Sequence, residues 1–329
     1  KRLYKEEVTR RSTLNSIRKK TDSDLDIPTL IQLYNYQKVA IEFGLHADLR
    51  FIDADQMGLG KTPTAIGIAE LKNAKTLVVC PKGSKRTVWE RQIKLFAGKD
   101  CCIWGNDGYE GDINAQYHVI HYDAVKKQLK ELNKIKFDLL IGDEAHKLKN
   151  HKSIRSKAVL GYYPERAVYP GIKTKWVVFL TGTPLLNKPI ELFTLLHHLD
   201  PKEFANAWTF LKRYGGKDSN DPPRNLDELF KRISKRMIRR LTKNIRGETA
   251  NKQRFDFPVE LTPAQTDAYL KFEAKLLKHS RGGVSAAVMP ALWDFLFEIK
   301  FPILCKFVEE MNDSGRGVLM WTIQRAHAE

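Results

Sequence analysis

A glycine-rich segment carries the residue types that bind phosphate groups. Residues 55–62 read DQMGLGKT and end in the Gly-Lys-Thr triplet of a phosphate-binding loop. In such a loop the glycines let backbone N–H groups surround phosphate oxygens, the lysine neutralises the β- and γ-phosphates, and the hydroxyl binds Mg²⁺. Asp55 stands where the usual pattern has its first glycine. The predicted nucleotide-binding residues of this loop are Gly58, Gly60, Lys61 and Thr62.

Two adjacent carboxylates supply the second half of a phosphate-transfer site. The tetrapeptide DEAH begins at Asp143 and follows an apolar run. A phosphate-loop ATPase needs one acidic residue to hold Mg²⁺ and a second to orient or activate the attacking water. We therefore predict that Asp143 and Thr62 bind Mg²⁺, and that Lys61, Asp143 and Glu144 are catalytic. His146, which alone would more often be a core or capping residue, is interpreted beside this pair as a coupling residue.

The elements that must position these residues are read from apolar periodicity. Short apolar runs predict strands, and a period of about 3.6 residues predicts helices. The glycine loop follows the first predicted strand and the carboxylates follow the fourth. Apolar strands that alternate with helices indicate an α/β fold, with a parallel sheet covered on both faces and ligands at the carboxyl ends of its strands. The predicted strands are 49–54, 76–80, 117–121, 137–142 and 176–181, and the accompanying helices are 33–43, 61–72 and 84–95.

The second half of the sequence reads mainly as helices. A loop rich in glycine, aspartate and proline occupies 215–223. The helix that follows it has one apolar stripe, with lysine and arginine over the rest of its surface. A final apolar run at 318–322 predicts the first strand of a new sheet. The helices predicted in this half are 189–199, 205–214, 226–245 and 262–278.

The chain carries a large positive excess. Its 329 residues include 56 Lys+Arg and 39 Asp+Glu, for a formal net charge of +17. Ten basic residues and one acidic residue fall within 231–254, so the excess is clustered. Because 42% of the residues are hydrophobic, the chain can form packed cores, which excludes global disorder. A large positive excess is typical of proteins that bind nucleic acid or an anionic membrane surface, and it also serves solubility. A basic helix is more often a solvated face than a binding site, so the charge alone leaves these interpretations open.

Several other classes are excluded by composition. No apolar run approaches the roughly 20 residues needed to span a bilayer, and residues 1–20 lack the apolar stretch of a signal peptide. The four cysteines show no CxxC spacing, so we predict neither a disulfide framework nor a structural metal. We expect a soluble intracellular protein with no membrane partner.

The order of the motifs resembles that of a known family. DQMGLGKT, GDEAHKLKN and TGTPLLNKPIELF look like motifs I, II and III of helicase superfamily two, in the form used by SWI/SNF-type DNA translocases. LYNYQKVAIEF resembles the nucleotide-sensing segment of that family, and LVVCPKGSKRTVWERQI and VIHYDAV resemble its DNA-facing motifs Ia and Ib. The most similar branch is that of the annealing helicases, which remodel forks. Gln56 and Pro63 depart from the family pattern without removing a phosphate or metal ligand.

The resemblance implies a domain plan. It predicts a RecA-like parallel-sheet ATPase lobe with a helical insertion and the start of a second RecA-like lobe. Motifs V and VI, with the arginine fingers, do not occur in the sequence, so we expect a fragment of a two-lobed motor. The compact insertion favours a cytoplasmic motor of bacterial or phage type over a nuclear remodeller. The predicted segments are a basic N-terminal arm or linker at 1–26, lobe 1 at 27–200, the insertion at 201–260, and linker helices with the truncated second lobe at 261–329.

The resemblance also implies roles for single residues. Gln37 would contact the adenine edge. Arg239 and Arg240 lie either on the solvated face of a packed helix or against the lobe interface or DNA path, and both interpretations stay open. The residues predicted to couple the ATP site to DNA are His146, Thr181, Gly182 and Thr183. Those predicted to contact DNA are Lys82, Ser84, Lys85, Tyr122, Lys149, Asn150, Arg239 and Arg240.

The hypothesis that follows is an ATP-dependent DNA translocase with ATP and Mg²⁺ as cofactors. It would track on duplex DNA as a monomeric motor and remodel branched DNA by branch migration, strand annealing and fork remodelling. Three alternatives remain: a strand-separating helicase, the motor subunit of a restriction system, and, from another class, a non-catalytic DNA-binding scaffold. The fragment by itself is expected to hydrolyse ATP weakly.

Overall fold

Eight strands in the described part of the chain join into one sheet. The structure is a computed structural model that describes residues 2–161, 170–184, 188–215, 221–245, 260–279 and 288–314. The strands are β1 (Arg50–Asp53), β2 (Thr76–Cys80), β3 (Cys101–Trp104), β4 (Tyr109–Glu110), β5 (Tyr117–His121), β6 (Leu139–Asp143), β7 (Trp176–Leu180) and β8 (Met237–Ile238). Their spatial order is β4-β3-β5-β2-β6-β7-β1-β8, and every neighbouring pair is parallel except the β3–β4 pair. The predicted α/β class, with a mainly parallel sheet, is confirmed.

Alternate residues of each central strand enter two apolar cores, one on each face of the sheet. Ile52 of β1 and Leu140 of β6 belong to one core, whereas Phe51 and Ile141 belong to the other. A strand directs successive side chains to opposite faces, so a strand that is buried on both faces must be apolar throughout. This is why the five predicted strands could be recognised as continuous apolar runs. The edge strands β4 and β8, and β3 beside β4, were not predicted.

Helices cover both faces of the sheet. Val39 and Ile66 pack into the core that contains Phe51, and Val125 and Leu196 pack into the core that contains Ile52. The helices of this part are α1 (Arg2–Ile17), α2 (Asn35–His46), α3 (Lys61–Leu71), α4 (Arg91–Ala97), α5 (Tyr122–Leu132), α6 (Ile154–Leu160), α7 (Ile190–Leu199), α8 (Ala207–Tyr214), α9 (Leu226–Ile233) and α10 (Thr242–Ile245). A π-helical segment, Lys85–Glu90, precedes α4, and a 3₁₀ turn, Ala145–Leu148, follows β6.

The single long helix predicted over 226–245 is wrong. The chain leaves α9 and enters the sheet as β8, which pairs in parallel with β1. Met237 and Ile238 are buried in opposite cores, as successive residues of a strand must be. The N–H groups of Ile52 and Ala54 donate to the carbonyls of Arg236 and Ile238 at 2.7 and 2.8 Å. Pairing with β8 gives backbone partners to the edge of β1, and this tertiary contact outweighs the helical periodicity of the segment. Part of the predicted insertion therefore belongs to the sheet.

The basic N-terminal segment is a packed helix rather than the predicted arm or linker. Leu14 and Ile17 on α1 are almost fully buried in the same core as α2 and α3. The Arg10 guanidinium donates to the carboxylate of Asp48, just beyond α2. The apolar residues of α1 are few and widely spaced, which is why the basic composition dominated the interpretation of this segment.

The chain divides into two compact units, Lys1–Ala250 and Asn251–Glu329. In the second unit, helices α11 (Pro263–His279) and α12 (Val288–Asp313) are described. The rings of Phe272 and Phe295 stack there with centroids 4.8 Å apart. The strand predicted at 318–322 lies outside the described residues. Within the described residues, no helix combines the length and apolarity that crossing a bilayer requires.

Candidate nucleotide-binding site

The glycine loop and the carboxylate pair are brought to one edge of the sheet by strand register. Leu180 of β7 is the register partner of Asp53 at the end of β1 and of Asp143 at the end of β6. The two strands therefore end at the same level on either side of β7. Three polar segments follow these ends: the glycine loop, the DEAH tetrapeptide and the Thr-Gly-Thr segment that begins at Thr181. This is the carboxyl edge, where parallel α/β sheets bind their ligands.

Two glycines shape the loop between β1 and α3. Gly58 and Gly60 have φ values of +86° and +71°, in the region that favours glycine. A Cβ atom on Gly60 would also lie 2.3 Å from Nε2 of Gln37. Lys61 begins α3, and its Nζ donates to the backbone carbonyl of Asp55 at 2.9 Å. The ammonium group thus lies within the curve of the loop, and the half-buried Thr62 occupies the first turn of the helix.

The predicted coupling segment contacts this loop. Thr181 continues the pairing between β7 and β1, since its N–H donates to the carbonyl of Asp53 at 3.0 Å. A Cβ atom on Gly182 would lie 2.7 Å from Cγ of Met57 and 3.7 Å from Nζ of Lys61. The hydroxyl of Thr181 accepts a hydrogen bond from the N–H of Thr183 at 3.2 Å. The segment therefore presents backbone, without side-chain bulk, to the phosphate loop.

Asp143 has a half-buried carboxylate, and each of its two oxygens accepts a hydrogen bond. Trp89 Nε1–H donates to its Oδ2 at 2.9 Å, and the N–H of Glu144 donates to its Oδ1 at 3.0 Å. Burial raises the pKa of Asp143, and the hydrogen bond from Trp89 and the positive charge of Lys61 act in the opposite direction. Strand register places Asp143 level with the end of β1, and the ammonium group of Lys61 lies in the loop that follows β1.

Glu144 and His146 follow in a constrained turn. Glu144 has φ +49°, an unusual conformation for a residue with a Cβ atom. Its Oε2 lies 3.1 Å from Nδ1 of His146, but not in hydrogen-bond geometry, and that buried nitrogen has no hydrogen-bond partner among the described residues. His146 also lines a groove beside the turn. The other residues of the groove are Asp123, Lys147, Lys149, Asn150, Ser153 and Arg155. One histidine thus lies between the second carboxylate and a largely basic groove.

The residues present fit a magnesium–nucleotide complex. Mg²⁺ prefers oxygen ligands and commonly takes one or two from protein, with substrate phosphates and water completing its shell. The hydroxyl of Thr62 and the carboxylate of Asp143 are donors of that type. Each oxygen of Asp143 accepts one hydrogen bond and retains further lone-pair capacity. Lys61 and the loop N–H groups supply the positive partners for phosphate oxygens.

Gln37 lies against the loop. Its Oε1 accepts from the N–H of Tyr34 at 2.9 Å, and its Nε2 donates to the carbonyls of Leu59 and Gly60 at 3.3 and 3.1 Å. In this arrangement both polar atoms of the amide are engaged by protein. Gln37 therefore connects α2 to the phosphate loop through hydrogen bonds. The contact of Gln37 with an adenine edge remains a prediction.

A buried ion pair supports the loop from the other side. Arg240 and Asp55 are 8% and 2% exposed, and the guanidinium contacts both carboxylate oxygens, with Nε donating at 3.1 and 3.0 Å. Arg240 also donates to the carbonyl of Tyr36. Arg239 donates to the carbonyls of Ala54 and Gly182 at 3.0 and 3.1 Å. The prediction of DNA contact is therefore wrong for Arg240, whose guanidinium is buried and satisfied by protein groups.

The remaining residues predicted to contact DNA have different surroundings. Tyr122 is buried and donates its hydroxyl hydrogen to the backbone carbonyl of Asp143 at 2.6 Å, so its predicted contact with DNA is also wrong. Lys85 donates to the carbonyl of Trp104 at 2.8 Å, and Lys149 pairs with Glu191 at 2.9 Å. The side chains of Lys82 and Asn150 are exposed, and Ser84 is half-buried.

Three residues around the site were not predicted from the sequence. Trp89 lies within a run that reads as an ordinary helix, and no local pattern indicates that its indole reaches Asp143. Asp55 is recognisable only as a departure from the phosphate-loop pattern, and its partner Arg240 lies 185 positions away. Asp53, likewise unpredicted, is buried with Oδ2 unpaired among the described residues, and burial followed by the charge of Asp55 raises its pKa.

The parallel sheet, the glycine loop at the end of β1 and the carboxylates at the end of β6 define a RecA-like nucleotide-binding lobe. The SNF2-related domain family matches residues 36–300. The chain therefore belongs to the SNF2-related domain family. It is also 30% identical over 311 residues to the "SWI/SNF-related matrix-associated actin-dependent regulator of chromatin subfamily A-like protein 1" of Drosophila melanogaster, with 89% of this chain and 40% of that protein covered.

Two further similarities agree with this assignment. The chain is 30% identical over 283 residues to the "DNA annealing helicase and endonuclease ZRANB3" of Bos taurus, with 78% of this chain and 25% of that protein covered. It thus spans well under half the length of these two relatives. The "Sulfolobus solfataricus SWI2/SNF2 ATPase core in complex with dsDNA" has the same fold, with a TM-score of 0.58, 22% identity, and 89% and 67% of the two chains covered.

Proposed function

We propose that this chain supplies the nucleotide-binding lobe of an ATP-dependent motor that tracks on duplex DNA and remodels branched DNA. The observation that carries the proposal is the convergence of Lys61 and Asp143 at one sheet edge, with the Thr181–Thr183 segment between them. Family membership supports ATP as the substrate. Similarity to a protein named as a DNA annealing helicase supports branch migration, strand annealing and fork remodelling as the outcome.

The residues of the site have distinct tasks in hydrolysis. Lys61 and the N–H groups of the glycine loop bind the β- and γ-phosphates, and Thr62 with Asp143 would hold Mg²⁺, which supplies positive charge against the phosphate oxygens. Glu144 orients the attacking water and accepts its proton. Its position one residue after the strand end keeps it beside Asp143. Gly182, with its backbone against Lys61, detects the occupancy of the phosphate loop.

DNA would bind along the basic groove next to the DEAH turn. Lys149 and Asn150 line this groove together with His146, which lies 3.1 Å from Glu144. Lys82 is exposed at the start of the segment that leads to Trp89. Such groups contact phosphates without reading bases, as a motor that moves along any sequence requires. His146 is the residue best placed to link groove occupancy to Glu144.

The test compares ATP hydrolysis by wild type and Lys61→Ala, with duplex, single-stranded, forked and four-way junction DNA as cofactors. We expect stimulation by duplex-containing DNA and loss of hydrolysis in Lys61→Ala. Lys72→Ala, at the opposite end of the same helix, removes an exposed lysine and serves as the matched control. Full DNA-stimulated hydrolysis by Lys61→Ala would contradict the proposed catalytic site. DNA binding by wild type without any ATP hydrolysis would favour the non-catalytic DNA-binding scaffold.

A second experiment addresses the DNA surface and the competing motor activities. Affinity for duplex DNA should fall steeply with salt, and Lys82→Ala should reduce the slope of log affinity against log salt by about one. Lys130→Ala, an exposed lysine on α5 outside the groove, is the control. Branch migration of a four-way junction without strand displacement from a blunt duplex would separate a remodelling translocase from a strand-separating helicase.

A further inference from the structure

Two buried rings from the segments that resemble DNA-facing motifs converge on Asp143. Trp89 is fully buried, and its indole N–H meets the carboxylate at 2.9 Å. Tyr122 is also buried, and its hydroxyl meets the backbone carbonyl of the same residue at 2.6 Å. Asp143 is therefore held at its side chain by one segment and at its main chain by the other. Neither ring was assigned this task from the sequence.

The segment that carries Trp89 has an unusual backbone. Residues Lys85–Glu90 form a π-helical turn, a rare conformation that is frequent at functional sites. Its exposed residues, Arg86, Thr87 and Val88, precede the buried indole, and Lys82 is exposed just before the turn. One short turn thus connects the surface on which DNA would lie with a donor to the predicted magnesium ligand.

The chemistry of the contact makes it sensitive to small movements. An indole can only donate, and its ring is rigid, so Trp89 has one way to satisfy both its own N–H and Asp143 Oδ2. A hydrogen bond weakens steeply once its angle or length departs from the preferred range. Because Glu144 N–H holds Oδ1, loss of the Trp89 contact frees one side of the carboxylate and leaves the other fixed.

We propose that Trp89 is a positioning residue that orients Asp143 toward the magnesium–nucleotide complex and transmits DNA binding at 82–88 to that carboxylate. Tyr122 supports the same residue through its main chain. The inference rests on the proposed function, because it requires that one chain bind both nucleotide and DNA. Partners of metal ligands commonly change metal affinity or activity 10- to 100-fold when they are removed.

The experiment measures the Mg²⁺ concentration for half-maximal binding of a fluorescent ATP analogue, without and with saturating duplex DNA. We expect DNA to lower this midpoint in wild type. In Trp89→Phe, which keeps a buried ring and removes the N–H, the midpoint should rise about ten-fold and lose its response to DNA. DNA affinity itself should stay within two-fold of wild type. Tyr122→Phe should reduce the response to DNA in the same direction.

The matched control is Trp104→Phe, which removes another fully buried indole N–H, one that donates to His118 Nδ1 at 3.0 Å. It should leave the Mg²⁺ midpoint and its response to DNA unchanged. An unchanged midpoint in Trp89→Phe, an equal change in Trp104→Phe, or a wild-type midpoint that ignores bound DNA would each overturn the inference. Failure of wild type to bind nucleotide or DNA would instead refute the proposed function.

Discussion

The buried pair between Asp55 and Arg240 makes the strongest stability prediction. In Arg240→Met the methionine fills part of the space of the arginine stem, but the carboxylate of Asp55, 2% exposed, loses its charged partner. The donor that remains among its described contacts is the backbone N–H of residue 240, at 2.8 Å. Breaking a buried ion pair by removing one member costs about 3–5 kcal/mol, because the other charge stays buried.

This cost converts into a measurable shift of the melting temperature. For units of 150–250 residues, 1 kcal/mol corresponds to roughly 2–4 °C, so Arg240→Met should melt about 6–20 °C below wild type. The loss should be visible in thermal unfolding and as a lower urea midpoint with an unchanged slope. Arg239→Met is the matched control, since the exposed side chain of Arg239 donates to two uncharged carbonyls, whereas Arg240 donates to a buried carboxylate. We expect it to cost about 1–2 kcal/mol.

A double-mutant cycle isolates the pair. Asp55→Asn alone leaves a buried guanidinium without its carboxylate, whereas Asp55→Asn with Arg240→Met removes both charges of the pair. The double variant should therefore be more stable than Arg240→Met, with an interaction free energy of at least about 2 kcal/mol. A loss below about 1 kcal/mol in Arg240→Met, or simple additivity in the double variant, would refute the reasoning.

Three further predictions concern single residues. Gly60→Ala should weaken ATP-analogue binding, because an alanine at φ +71° is strained and its Cβ would displace Gln37. Gly83→Ala is the control and should leave this binding unchanged, because a Cβ on Gly83 would meet nothing within 4 Å. Leu14→Ala should lower the free energy of unfolding by about 2–5 kcal/mol, because Leu14 is buried in the core; a loss of less than about 0.5 kcal/mol in urea unfolding would contradict the packing of α1. Burial lowers the pKa of His118 from 6.5 to about 4. Between pH 6.5 and 4 the unfolded state therefore binds the proton more tightly than the folded state, and the free energy of unfolding falls as the pH falls. Urea unfolding should therefore show that wild type loses about 2 kcal/mol more than His118→Phe between pH 7.5 and 5, and equal losses would contradict this assignment.

Local chemistry made the core of the site predictable. A phosphate loop needs its glycines, lysine and hydroxyl within a few consecutive positions, so Gly60, Lys61 and Thr62 could be recognised without any structure. The same holds for Asp143 and Glu144, which are adjacent in the chain. Strands buried on both faces are apolar throughout, so five strands and the α/β class were also predictable, and the order of these elements placed both motifs at strand ends.

The supporting contacts were not predictable in this way. Asp55 and Arg240 are 185 positions apart, and Trp89 and Asp143 are 54 apart, so no local pattern links them. The segment 226–245 has helical periodicity, yet Met237 and Ile238 pair with β1 and form a strand of the sheet. Likewise, α1 is mainly basic and polar, and its composition does not show that Leu14 and Ile17 are buried in a core.

Sequence alone therefore determined the class of fold and the excess of positive charge, and it supplied the candidate residues for phosphate transfer. Only the tertiary structure decided that Arg240 and Tyr122 are internal supports rather than DNA contacts. The physical reason is that the identity of an arginine or a tyrosine in the sequence does not specify whether its side chain faces solvent or a buried partner. Its surroundings are set by distant segments, here the closing of a sheet edge over Asp55 and the packing of α5 against the end of β6.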